Sequence, residues 1–428
     1  MVCRAYGCRA AQRVVQWRKK GVIGVKRSLI SCAALAAVCL SLLSGCRSGP
    51  APTPTPSPPP ELTLDEGAVP ADFSRMDFWN GGVMDELGCR DGRSADLTRQ
   101  ALPGGLDQLL LITFDSRTIW PDALPAGFDP AEIMQANKNP GLGVRALHES
   151  GVTGEGVNLG IIDQSLLLDH VEYKDNVRYY RQLWEGENGA SMHGAAVASI
   201  AVGRSVGVAP GANLYYVSHR FAGPGEDKNS ILPYIEALNT LLDLNDSLPE
   251  VYKLDAISIS RGFGPDDADW DGMRAALDRA EAAGIFVITT SIEYTHGMPI
   301  AGAARVPLSD CDDPGNTRPG LFYADYFYKR PYSFIDSLFV PMDFRATASP
   351  TGAEDYTNYT AEGLSWTVPY IAGVYCLAKQ VAPELTPQAF WDAALSTADR
   401  VSFDHGGQSY TLEHVINPAG IVEAVRTR

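Results

Sequence analysis

The sequence predicts an α/β fold: a parallel sheet in three layers, helices covering both faces, with an N-terminal extension ahead of it. Three observations point there. Short β-rich apolar runs recur at 157–162, 213–217, 254–260 and 284–291; helical stretches at 231–242 and 273–283 lie between them; and the runs are apolar throughout rather than alternating. Strands apolar on both sides need cover on both sides, which helices alternating with parallel strands supply. In such sheets chemical groups gather at the carboxyl ends of the strands.

Taken from the N-terminus, the first segment reads as an address. Arg18, Lys19, Lys20, Lys26 and Arg27 form a basic flank, residues 28–43 are a short apolar run, and Ser44-Gly45-Cys46 follows. The run is too short to cross a bilayer comfortably, so residues 1–45 read as a secretory signal peptide, with an uncleaved anchor helix as the alternative. Leu43-Ser44-Gly45-Cys46 resembles a bacterial lipobox, which implies a diacylglycerol on the Cys46 thiol and an extracytoplasmic protein tethered to the cell membrane. Residues 46–60 carry seven prolines among Thr, Ser and Ala. Such chain stays extended and reads as a spacer.

Residues 61–139 have mixed composition and one strand candidate, at 109–114. They read as a pro-segment or an extension packed on the main body, which occupies residues 140–428. Near its end Thr386-Pro387 opens a helix, a cap followed by proline at the first helical position, carrying Phe390, Trp391 and Leu395 inward.

Composition excludes some partners. The formal charge is −16, but residues 1–45 hold eight Lys/Arg and no acid, leaving 27 basic against 51 acidic residues, or −24. A body that acidic repels nucleic acid. Beyond the leader only Cys89, Cys311 and Cys376 remain, an odd number without metal-ligand spacing. Neither a disulfide framework nor a zinc site is expected, though a Cys89–Cys311 bridge stays open.

Three places carry chemistry. Asp163 stands at the end of the apolar run 157–162, where an acid is costly unless paired; it is a turn-capping carboxylate or a functional one. His193 opens a helix of small residues, His193-Gly194-Ala195-Ala196, which lets the helix pack closely while the imidazole faces open space; a capping histidine is the plainer reading. Ser365 follows Gly363-Leu364 at a turn into another helix, so its backbone N–H faces outward at a favourable helix terminus; an N-cap serine is the plainer reading there.

The order Asp, His, Ser at a strand end and two helix starts decides between these readings. GVNLGIIDQS, HGAAVASIAVG and GLSWTVPYIAG resemble the aspartate, histidine and serine motifs of the subtilisin-like serine peptidases (subtilases), and GVAPGANLYYV resembles the stretch that follows the histidine helix. The likeness covers about residues 141–428. It implies a subtilisin-like fold and peptide-bond hydrolysis, with Ser365 as nucleophile, His193 as general base and Asp163 orienting the imidazole. It also implies a peptide or protein substrate lying extended beside Ser260-Arg261-Gly262. No cofactor is implied. Calcium is frequent in the family, but no ligand run is assignable here.

One departure matters. The family has an asparagine hydrogen-bonding the oxyanion just after the strand matching 284–291; counting along this chain puts Glu293 there. An ionised carboxylate only accepts hydrogen bonds. The expectation is therefore a serine endopeptidase, with a catalytically weak or inactive subtilase fold acting as a peptide-binding module as the alternative. Three ways round the departure stand open: a protonated Glu293, a donor from Ser291, Thr295 or His296, or a degenerate site. Trp366 beside the serine either narrows the cleft or packs in the core.

Overall fold

The computed structural model describes residues 62, 64–73, 88–184, 189–219 and 230–426. The expected signal peptide (1–45), the lipidation site Cys46 and the spacer (46–60) lie outside the described residues. Among the described residues no helix is long and apolar enough to cross a membrane.

The extension contributes strands β1 (Arg90–Asp91) and β2 (Ile112–Asp115). The strand expected at 109–114 begins later than its apolar run, because residues Leu106–Leu109 form a helical turn first. The main body then supplies β3 (Asn158–Asp163), β4 (Val177–Gln182), β5 (Asn213–Ser218), β6 (Ala256–Ile259) and β7 (Phe286–Thr289). These five form one all-parallel sheet in the order β4-β5-β3-β6-β7, with β3 at its centre.

Alternation along β3 divides the core. Leu159 and Ile161 face one side, against the helix Met192–Val202 and the helix Thr367–Val381; Ile162 faces the other, against Leu232–Ser247 and Trp270–Ala282. Each large aliphatic side chain so buried contributes about 1.5–3 kcal/mol. The helix opening at Thr386-Pro387 forms as expected: the Thr386 hydroxyl caps it by accepting from the Ala389 N–H at 3.2 Å, and Phe390 and Trp391 are buried.

Further strands build two more sheets: β8 (Ile300–Arg305), β9 (Thr317–Pro319), β10 (Leu338–Asp343), β11 (Arg345–Ala348), β12 (Tyr356–Tyr359), β13 (Asp399–His405) and β14 (Gln408–Val415). One has the order β13-β14-β10-β8-β9, and the other β1-β2-β12-β11. In the latter β2 of the extension pairs antiparallel with β12 through Thr357–Asp115 and Asn358–Phe114. Residues 64–71 also lie against the body: the Asp65, Ala68 and Ala71 N–H groups donate to the carbonyls of Tyr180, Leu166 and Pro350, and the Ala190 N–H donates to Val69. Cys311 and Cys376 carry free thiols, so the Cys89–Cys311 bridge is not formed.

Candidate active site

Asp163 closes β3 and is buried. Its Oδ1 accepts the Gln164 N–H at 2.8 Å and lies 2.7 Å from His193 Nδ1. A carboxylate accepts, so the shared proton belongs on Nδ1, and a neutral ring then leaves Nε2 as an open acceptor.

The turn after Asp163 is what seats His193. Ser191 caps the Met192–Val202 helix by accepting from the His193 N–H at 3.1 Å, and its hydroxyl donates to Gln164 Oε1 at 2.5 Å. The Ser191 N–H donates to the Ser165 carbonyl at 3.0 Å, and the Tyr216 hydroxyl to the Gln164 carbonyl at 2.5 Å. Gly194 permits this closeness. A Cβ there would stand 2.7 Å from Gln164 O, 2.8 Å from Ser165 O and 2.8 Å from the Tyr216 hydroxyl. The small-residue run was legible in the sequence; the Gln164–Ser191 clasp was not, since either residue alone is an ordinary polar one.

Ser365 lies in a short 3-10 turn, Leu364–Trp366, that runs into the helix Thr367–Val381. N–H groups in a first helical turn have no partner within the helix. Ser260 and Ser365 bond reciprocally: Ser260 Oγ donates to the Ser365 carbonyl at 2.8 Å, and Ser365 Oγ donates to the Ser260 carbonyl at 3.3 Å. Among the described residues no hydrogen bond joins Ser365 Oγ to His193. The link between them is Trp366, which is buried and packs edge-on against the imidazole at 5.2 Å between centroids and against Tyr359 at 5.5 Å. Its place is therefore the core, as a wall behind His193.

The loop before Ser365 is held by Asp343. This fully buried carboxyl accepts from the Glu362 N–H at 3.0 Å and the Leu321 N–H at 2.7 Å, and burial pushes its pKa up to about 7. Glu362 also acts on His193. Burial alone would lower the imidazole's pKa; the adjacent Asp163 charge, its hydrogen bond and the more distant Glu362 outweigh that and raise it above its ordinary value.

The stretch Ser260-Arg261-Gly262 turns away from the sheet instead of prolonging β6. The Arg261 N–H donates back to Ile259 at 2.7 Å, and the Arg261 carbonyl accepts from the Thr290 N–H at 3.1 Å. The Arg261 guanidinium lies 5.9 Å from the centre of the Tyr234 ring. Two of the three carbonyls, those of Ser260 and Arg261, are thus already in use.

Glu293 stands in the first turn of a short helix, Ile292–His296, and is exposed. Its side chain makes no hydrogen bond among the described residues, and loss of hydration next to the protein raises its pKa. The three other candidate donors are placed as follows. The Ser291 hydroxyl is engaged with Phe263, accepting from its N–H and donating to its carbonyl, both at 2.7 Å. Thr295 Oγ1 and His296 Nδ1 share a 2.8 Å hydrogen bond.

Asp310, Cys311 and Asp312 bring possible metal-ligand atoms within 4.8 Å of one another. Asp312, however, is a loop anchor: its carboxylate accepts from Asn139 Nδ2 at 2.8 Å and from the Gly143 N–H at 2.9 Å.

Set beside known proteins, the chain is 23% identical over 285 residues to alkaline protease 2 of Aspergillus fumigatus, in two strains, across 60% of this chain. The chain is subtilase-like. The subtilase-like match spans 55% of the Aspergillus proteins, about half the length of the curated relatives. No family model matches. Among solved structures, the prenylagaramide maturation protease PagA superposes with a TM-score of 0.47 at 20% identity, over 66% of this chain and 98% of that one. The PatG macrocyclase domain superposes with a TM-score of 0.45 at 14% identity, over 67% and 95%.

Proposed function

We propose that this chain is a serine endopeptidase that hydrolyses peptide bonds through Asp163, His193 and Ser365, tethered outside the cytoplasm by a lipid on Cys46. The observation that carries this reading is the 2.7 Å contact of Asp163 with His193, with the helix start bearing Ser365 packed on the same imidazole through Trp366. In the resting state Ser365 Oγ donates to the Ser260 carbonyl; the reaction requires that bond to break and the hydroxyl to come within reach of Nε2. Hydrogen bonds in unliganded sites of this kind are often loose and tighten with substrate.

The chemistry then runs through this chain's residues. Ser365 Oγ attacks the peptide carbonyl while His193 Nε2 takes its proton, and His193 returns that proton to the departing amine. Water then attacks the acyl-enzyme with His193 again as base. Asp163 keeps the proton on Nδ1 and stabilises the imidazolium. The backbone N–H at Ser365 and a protonated Glu293 are the candidate oxyanion donors.

A second reading, a catalytically weak or inactive fold that binds peptides, draws on the bond of the Ser365 hydroxyl to Ser260 and on the sequence count that puts Glu293 where the family has its oxyanion donor. A fluorophosphonate probe separates the two. Labelling of the wild type but not of Ser365→Ala is expected; no labelling from acidic to mildly alkaline pH would leave the binding module. Release of the Cys46→Ala protein from the membrane fraction tests the tether.

A further inference from the structure

The strand that feeds the Ser365 turn is held by the extension. β12 ends at Tyr359, and residues 360–363 carry the chain from there to the turn. β12 lies between β11 of the main body and β2 of the extension. Side chains of the extension strengthen the join. Thr113 Oγ1 accepts from the Thr360 N–H at 3.3 Å and shares a 3.1 Å hydrogen bond with the Thr360 hydroxyl. Asn137, which closes the helix Pro130–Asn137, donates from Nδ2 to Asn358 Oδ1 at 2.7 Å. Thr113, Asn358, Tyr359 and Thr360 are all buried.

A second contact runs toward the imidazole. Arg93 donates from Nε to Asp91 Oδ1 at 2.9 Å and from Nη1 to the Tyr359 hydroxyl at 3.5 Å, with its guanidinium 5.7 Å from the Tyr359 ring centre. Both members of the Arg93–Asp91 pair are largely shielded from water, unlike a pair laid loosely on the surface. Tyr359 in turn packs on Trp366, the wall behind His193. The extension therefore reaches both the loop before Ser365 and the aromatic stack behind His193. If it were cut away, water could satisfy the Thr360 N–H and Asn358 Oδ1, but water would not fix their position. That matters for a nucleophile, since a misplacement of about 1 Å costs about a hundredfold in rate.

We propose that the extension, from β1 onward, stays with the active enzyme as a wall of its site, with Thr113 as a positioning residue for Ser365. This rests on the peptidase reading above, and it stands against a pro-segment discarded on maturation. Two experiments on the full chain test it. Thr113→Val keeps the side chain's shape without its hydroxyl; kcat on a peptide substrate, measured well below Tm, should fall about fivefold at unchanged KM, and Thr113→Ser should restore it. Equal kcat in wild type and Thr113→Val overturns the positioning role. In the second experiment, wild-type protein labelled by a fluorophosphonate is isolated under native conditions and its peptides are mapped. Peptides from residues 90–115 should accompany the labelled chain. An active species lacking them overturns the proposal, and this result decides should Thr113→Val fail to fold. Absence of any labelling fails the peptidase reading itself, and the proposal with it.

Discussion

Ser260 Oγ and the Ser365 carbonyl are 2.8 Å apart, and the Ser365 hydroxyl answers with a 3.3 Å bond to the Ser260 carbonyl. The end of β6 and the turn that carries Ser365 are therefore clasped at two points. The clasp ties down both the Ser365 carbonyl and its hydroxyl.

Ser260→Ala removes the shorter of these bonds and leaves the Ser365 carbonyl without its donor. A hydrogen bond of this kind is worth about 1 kcal/mol. If that loss falls on positioning of the reacting oxygen, kcat/KM drops about fivefold, far less than for Ser365→Ala. Initial rates on a peptide substrate measure it; an unchanged rate would mean the clasp plays no part in the reaction.

His193 must be neutral to accept a proton, and Asp163 with Glu362 raises its pKa above 6.5. Activity should therefore rise with pH along a limb centred above 6.5. Glu362→Gln removes one of the raising charges and should move that limb to lower pH. Stability carries the opposite sign: the protonated pair is stabilised below about 6.5, the free imidazole's value, and that stabilisation fades as pH climbs through the folded value. A pH–rate profile beside a pH series of melting curves tests both signs.

Gly194→Ala puts a methyl group against the carbonyls of Gln164 and Ser165 and the Tyr216 hydroxyl. Two of the three are backbone, so the helix must move. Overpacking of this kind costs about 1–3 kcal/mol. Because the displaced unit carries His193 away from Asp163, kcat should fall with little change in KM, alongside a lower Tm.

Glu293 gives a falling limb. As a neutral acid it would donate to the oxyanion, and lost hydration moves its pKa upward. Activity should then decline as pH rises through that value, and Glu293→Asn should hold activity above it. A Glu293→Asn enzyme inactive at every pH counts against the role.

The parts of this molecule that the sequence made legible are those announced by composition. β3, β5, β6 and β7 are apolar runs flanked by helices, and each forms within two residues of the run that announced it. The second sheet was hidden for physical reasons. β8 is Ile300–Arg305, mostly Ala and Gly, and β10 contains Pro341 at a break in its register with β8. Small residues and an internal proline both weaken the strand signal. At the site, Asp163, His193 and Trp366 could be picked out by position, but the clasp of Ser191 on Gln164 and that of Ser260 on Ser365 join residues 27 and 105 positions apart. No local pattern encodes such pairings.

The pairing of β2 with β12 bears on how far the chain can be shortened. With residues before 140 removed, Thr357 and Asn358 would lose the partner strand that now meets them through Asp115 and Phe114. An inner strand would become an open edge, a template for a second molecule's backbone. Truncation there would favour self-association, which a concentration-dependent oligomer would report.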